Sequence, residues 1–170
     1  TVAETGVMAR FDKLHQTSEA LRATLAKAVV GQDAAVDMLA QAYFRSCAGG
    51  EAVGLRGIMT FLGPPGVGKT MLAEAFGNAV AGVEGAKLAF KRFDMGNYAG
   101  HQQHEGLFGF ESSYSGSQPG ALTGFVNDNP ACVLLFDELE KAHENTLLAL
   151  LGILDKGQAS DKKLGKLVSF

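Results

Sequence analysis

Apolar residues recur at helical spacing in four stretches of the chain and gather in short runs in three others. Ser18 reads as a helix cap, with Leu21, Leu25 and Ala28 on one face of the helix that follows. Val29-Val30-Gly31-Gln32 interrupts it, and Asp33 caps a second helix. There Val36, Leu39, Ala40, Tyr43 and Phe44 fall on one stripe. A third stripe joins Leu72, Ala75, Phe76, Ala79 and Val80, with Gly82 as its stop. Leu122 to Asn127 predicts a short helix ended by Asn129-Pro130. Leu147, Leu150, Leu151 and Leu154 mark a last helix that stops at Gly157. Strands are expected at Ile58–Leu62, Leu88–Phe93 and Cys132–Phe136, the last apolar throughout, as a strand buried on both faces would be. Residues 1–17 show little periodicity and read as a linker, whereas 18–170 read as one domain. Residues 96–120, rich in Gly, Ser, His and Gln, are expected to form a loop with a short helix inside. Strands alternating with helices predict an α/β fold: a parallel sheet flanked by helices, with the ligand beyond the carboxyl ends of the strands.

Composition narrows the picture. The 170 residues, 46% of them hydrophobic, suffice for one core. A net charge of −3 argues against nucleic acid as the main partner. No apolar run reaches the length of a membrane span, and the start has no signal-peptide pattern. Cys47 and Cys132 match no metal or redox spacing and are expected to be reduced thiols of a cytoplasmic protein. The chain opens on Thr1, as a piece of a longer polypeptide would, and Leu167-Val168-Ser169-Phe170 reads as the start of a strand.

The chemistry concentrates in Gly63-Pro64-Pro65-Gly66-Val67-Gly68-Lys69-Thr70, which fits the phosphate-binding pattern G-x-x-x-x-G-K-[ST]. Its glycines let successive amides point inward at a triphosphate. The helix that follows aims its positive end at the same phosphates. Lys69 places a point charge on the β- and γ-phosphates, and Thr70 offers a hydroxyl to Mg²⁺. Pro65, Gly66, Val67, Gly68 and Met71 complete the expected contact set. Downstream, Val133-Leu134-Leu135-Phe136 ends in Asp137-Glu138. In a phosphate-loop ATPase the first acid holds Mg²⁺ opposite Thr70, and the second polarises the attacking water.

With both motifs in hand, Phe136-Asp137-Glu138-Leu139-Glu140-Lys141-Ala142-His143 resembles the signature of Clp-type AAA+ ATPases, most of all the second ATPase module of double-ring unfoldases. Val29-Val30-Gly31-Gln32-Asp33 resembles the segment that packs against adenine in that family, which brings Val30, Gly31 and Gln32 into the expected site. Phe93-Asp94-Met95, with Tyr98 and His101, resembles the strand and helix after the phosphate loop. Leu107-Phe108-Gly109 through Tyr114, then Leu122-Thr123, lines up with the pore-loop region. The resemblance spans residues 18–170 and implies the large subdomain of a three-layer P-loop NTPase, without the helical lid.

It further implies ATP and Mg²⁺ as cofactors, self-association into a ring, expected to be a hexamer, and a polypeptide substrate gripped by Tyr114 and Gly116. A protease or adaptor is an implied partner. The pore segment reads Tyr114-Ser115-Gly116-Ser117 where the family usually has a second apolar or aromatic residue. Glu111-Ser112-Ser113 is polar where the family is often proline-rich. The arginines are Arg10, Arg22, Arg45, Arg56 and Arg92, so no candidate stands at either family arginine position after Glu138, and hydrolysis by this chain alone is expected to be weak. Two alternatives stay open: an ATP-switched regulator that remodels a partner without threading it, and a nucleotide-binding module without turnover. His101 and His104, one helical turn apart, lack an obvious third metal ligand, and His143 reads as part of a helix start.

Overall fold

The computed structural model describes residues 2–48, 55–83, 88–110 and 118–170. The chain divides into two compact units, Thr1–Ala86 and Lys87–Phe170.

The first unit is helical. α1 (Val2–Ala28), α2 (Asp33–Ala48) and α3 (Lys69–Val83) bury Leu21, Leu25 and Val29 with Val36, Leu39, Ala40 and Tyr43, and with Leu72, Phe76 and Val80. Tyr43 and Phe76 meet edge to face, ring centroids 6.3 Å apart, the geometry the ring quadrupole prefers. Of the predicted stripes, Val36, Leu39, Ala40 and Tyr43 in α2 and Leu72, Phe76 and Val80 in α3 are buried, whereas Phe44, Ala75 and Ala79 are half-buried. In α1 the stripe runs through Val29, and Ala28 is exposed. The helix also starts well before Ser18, through the stretch expected to be a linker. Ala3, Glu4, Met8, Ala9, Arg10, Lys13, Leu14 and Gln16 are good helix formers, and no proline intervenes. Ser18 is therefore not a cap. It is buried inside the helix, and its hydroxyl donates to the Ala40 carbonyl of α2 at 3.0 Å. Ile58–Leu62, expected as a strand, forms no ladder among the described residues, and Leu62 is 89% exposed.

The second unit carries the β structure: β1 (Ala89–Asp94), α4 (His101–Phe108), α5 (Thr123–Asp128), β2 (Cys132–Asp137), α6 (Glu144–Lys156), β3 (Gln158–Asp161) and β4 (Lys166–Ser169). β1 and β2 pair in parallel, from Ala89 opposite Cys132 to Asp94 opposite Asp137. β3 and β4 form an antiparallel hairpin, so the strand expected near the end of the sequence is present. Helices plus a parallel strand pair give the α/β class. The parallel sheet has two strands among the described residues, and β2 is half-buried along its length, short of the burial its sequence predicts. The core gathers Phe93, Met95, Leu107, Phe108, Leu122, Val126, Leu150, Ile153 and Val168. Phe93 stacks on Phe136 across the ladder at 5.6 Å. α6 buries Thr146, Leu150 and Ile153, whereas Leu151 and Leu154 of the predicted stripe face solvent. His143 caps this helix, its Nδ1 accepting from the Asn145 amide at 3.1 Å, and Gly157 ends it in the left-handed conformation.

Asp161, fully buried at the end of β3, organises the hairpin side of this core. Its carboxylate accepts from the Thr123 hydroxyl, from the Gly120 amide at 2.9 Å and from the Leu164 amide at 2.8 Å. Gly109 lies against it with φ +84°, and a Cβ there would stand 2.8 Å from the carboxylate, so only glycine fits. Burial pushes the Asp161 pKa up, but hydrogen bonds from Thr123 and the backbone amides of Leu164, Gly120 and Lys163 outweigh it and hold the group below the ordinary aspartate range.

Candidate active site

The phosphate-loop residues lie in the first unit. Gly66 and Gly68 adopt φ +80° and +88°, so the curl expected of this loop is built at positions where a side chain would be strained. Gly68 accepts the first helical bond, from the Leu72 amide at 2.9 Å, and Lys69 opens α3. The Lys69 ammonium folds back over the loop and donates to the Gly63 and Pro64 carbonyls, each at 2.8 Å. A cation held inside a left-handed glycine turn at a helix start is a cradle for an anion, and an anion there would take the ammonium over from the two carbonyls. Pro65, Val67 and Met71 are exposed around this turn, and Thr70 is half-buried in the first turn of α3.

Gln32 joins this loop: its Nε2 donates to the Val67 carbonyl at 3.1 Å. Two segments far apart in sequence are thereby brought together, with Gly31 (φ +79°) making the turn between α1 and α2. A cavity of about 400 Å³ opens beside them, walled by Gln32, Ala35, Met38, Leu39, Phe61, Leu62, Val67, Lys69 and Leu72. Val30 (89% exposed) and Gly31 are not among its walls. Ala35, Met38 and Ala42 are, and the sequence reading missed them. Their signal was available: spaced three and four apart, they form a second apolar face of α2 beside the core stripe.

The two acids lie in the second unit. Asp137 ends β2, and Glu138 follows at φ 53°, ψ 45°, the one non-glycine residue with positive φ among those described. That conformation is costly for a glutamate, on the order of 1–3 kcal/mol, and turns the chain sharply at the strand end. The turn is held by the Lys141 amide donating to the Glu138 carbonyl at 2.9 Å and the His143 amide donating to the Tyr98 carbonyl at 3.0 Å. Each acid meets a cation: Arg92 reaches Asp137 at 2.6 Å and Lys141 reaches Glu138 at 2.7 Å. The hydrogen bond to Glu138 raises the Lys141 pKa above the ordinary lysine range. Neither cation was given a role beside the acids from the sequence, although Lys141 stands in the Clp-like signature, and nothing but strand register would have linked Arg92 to Asp137.

Tyr114 and Gly116 lie outside the described residues. His104 Nδ1 lies 3.0 Å from the Thr146 hydroxyl, and the described residues contain no group of three or more His, Cys, Asp or Glu arranged to hold a metal. Both cysteines are free and half-buried, and burial pushes the Cys132 thiol up, away from reactivity. No helix among the described residues is long and apolar enough to cross a membrane.

A glycine cradle with a lysine at a helix start, and a strand ending in two acids, are features that phosphate-loop NTPases share. The family model for the AAA domain (Cdc48 subfamily) matches residues 56–170, and the chain belongs to this family as a Clp-type AAA+ ATPase module. It is similar to the chaperone protein ClpB of Enterococcus faecalis, 40% identical over 152 residues that cover 88% of this chain and 17% of that one. The ClpB chaperones of Staphylococcus epidermidis (40% over 148 residues, 86% and 17%) and Lactiplantibacillus plantarum (40% over 144 residues, 84% and 16%) are similar in the same way. The chain thus spans about one sixth of the length of these relatives.

Proposed function

We propose that this chain binds ATP with Mg²⁺ and belongs to a cytoplasmic ring ATPase, expected to be hexameric, that unfolds or remodels polypeptides. Its fold in that setting is the large subdomain of a three-layer P-loop NTPase. The observation that carries the reading is the joint between Gln32 and Val67 beside the Lys69 cradle. It supports an apolar recess for a heterocyclic base next to a phosphate loop. Pro65, Gly66, Val67, Gly68, Lys69 and Met71 would surround the phosphates, and Gln32 would stand on the base side with Ala35, Met38 and Leu39, whereas Val30 and Gly31, assigned there by the family resemblance, lie outside the recess wall. Thr70 and Asp137 offer a hydroxyl and a carboxylate, the hard oxygen donors Mg²⁺ prefers. The bound Mg²⁺–triphosphate supplies the electrophilic phosphorus and its charge neutralisation. Glu138 accepts a proton from the attacking water. With no arginine after Arg92, turnover by this chain alone is expected near background.

Calorimetry with ATP and ADP tests the assignment. Lys69→Ala removes a charge-assisted phosphate contact worth roughly 1.5–3 kcal/mol, so affinity falls about ten-fold or more. Equal binding by both proteins sinks the role given to Lys69.

The segment Tyr114-Ser115-Gly116-Ser117 favours a second reading, an ATP-switched regulator that remodels a partner without threading it. On the threading reading, grip rests on the Tyr114 ring, since Ser115 and Ser117 add little apolar contact. Tyr114→Ala in the full-length protein then spares ATP binding and abolishes threading of a fluorescent substrate protein. Threading that persists unchanged removes Tyr114 from the mechanism and favours the regulator.

A further inference from the structure

The two cations at the end of β2 come from different places. Lys141 belongs to the same turn as Glu138. Arg92 comes from the neighbouring strand, where it stands opposite Leu135 and reaches diagonally forward to Asp137. Its guanidinium donates to Asp137 Oδ2 at 2.6 Å, while Oδ1 of the same carboxylate accepts the Glu138 amide at 3.2 Å. Each oxygen has a donor from the chain, and two fixed donors set the plane of the carboxylate. Asp94 is directly across the ladder from Asp137. Like charges at directly paired positions repel. Asp94 turns its Oδ1 to the Gly96 amide at 3.0 Å, and Arg92, two residues earlier and so on the same face of the pleat as Asp94, places its charge against the second acid.

We infer that Arg92 is a positioning residue that aims the Asp137 carboxylate for divalent cation and offsets its repulsion from Asp94. The inference rests on the proposed assignment of Asp137 to Mg²⁺. A flexible ammonium would supply the charge without the orientation, whereas the planar guanidinium supplies both. The pair differs from an ordinary surface ion pair. In Arg22–Asp37 of the first unit both side chains are about half exposed (50% and 42%), whereas here the arginine is 40% exposed and the carboxylate only 17%.

The test is a Mg²⁺ titration of full-length protein in the presence of N-methylanthraniloyl-ATP, with the nucleotide's affinity measured separately in EDTA. Arg92→Ala is expected to raise the Mg²⁺ midpoint about ten-fold and leave the metal-free affinity within about two-fold, since groups that orient metal ligands act on the metal. Arg92→Lys recovers part of the loss, and Arg22→Ala, removing the exposed pair, moves neither quantity. A loss of folding alone would weaken binding in EDTA as well, so the two measurements separate a structural role from an orienting one. If Arg92→Ala does not fold by circular dichroism, Arg92→Gln takes its place under the same criteria. An unchanged Mg²⁺ midpoint overturns the inference, as does an equal loss with and without metal. Asp137→Asn tells the two readings apart. If it shifts the midpoint while the Arg92 variants do not, only the role of Arg92 falls. If Asp137→Asn shifts nothing, the assignment of Asp137 to the metal falls with it.

Discussion

Asp94, Asp137 and Asp161 all end strands in the second unit, and the last two make the sharpest contrast. Asp161, at the end of β3, is fully buried and answered by a hydroxyl and backbone amides. Asp137, at the end of β2, keeps part of its surface in solvent and is answered by a guanidinium from the next strand. A carboxylate saturated by fixed internal donors has nothing left to offer a ligand. It ties the hairpin to the segments around Gly109 and Gly120. A carboxylate held in place yet still reachable is equipped for chemistry. The same side chain therefore serves packing in one place and a candidate site in the other, and the difference lies in what surrounds each strand end.

The sharpest break of this comparison falls beside Asp137. In the full-length protein, Glu138→Gln should keep ATP binding and lower turnover by about 10²–10⁴-fold, because an amide cannot take the proton from water. Its effect on unfolding should be slight, since the side chain is about half exposed and its ion pair with Lys141 is solvated. Phosphate release and thermal melting, measured together, check both halves. Turnover at the wild-type rate would make Glu138 only a polar strand end.

Asp161→Asn should do the opposite, leaving nucleotide binding intact and lowering stability. The amide keeps the shape but turns one acceptor into a donor facing donors, which costs roughly 2–3 kcal/mol for a buried group. Denaturant unfolding reads this directly. A loss below about 0.5 kcal/mol would place Asp161 among ordinary surface acids. The pH dependence sharpens the same point. The folded pKa of Asp161 lies below its unfolded value, so the unfolded state binds the proton more readily. Its contribution to stability is present above the ordinary aspartate pKa, about 3.9, and is lost as pH falls from there through the lower folded value. The Asn variant should lack that part of the acid transition, and identical acid profiles for the two proteins would contradict it.

Much of the candidate site was legible because its chemistry depends on local backbone. The loop from Gly63 to Thr70 needs glycines at two left-handed positions, a lysine and a helix start, all contiguous, and no tertiary contact is required to recognise them. The strand ending in Asp137-Glu138 is local in the same sense. The stripes of α2 and α3 could also be read, because Val36, Leu39 and Tyr43, and Leu72, Phe76 and Val80, recur at helical spacing and are the residues that packing buries. α6 could not be read this way. It carries leucines on both sides, so periodicity was ambiguous, and packing chose Leu150 and Ile153 over Leu151 and Leu154. Ser18 illustrates the reverse error: its cap propensity was real, but helix-forming residues before it carried α1 through.

By itself, then, the sequence determined the α/β class, the family, the glycine turn before α3 and the paired acids after β2, since each is written in a contiguous stretch where side-chain type sets backbone geometry or charge. The tertiary structure alone decided that Gln32 meets Val67, that Arg92 faces Asp137 and that Asp161 is sealed in the core. Those contacts join residues between 35 and 45 positions apart, and they depend on register and burial, which no local pattern encodes.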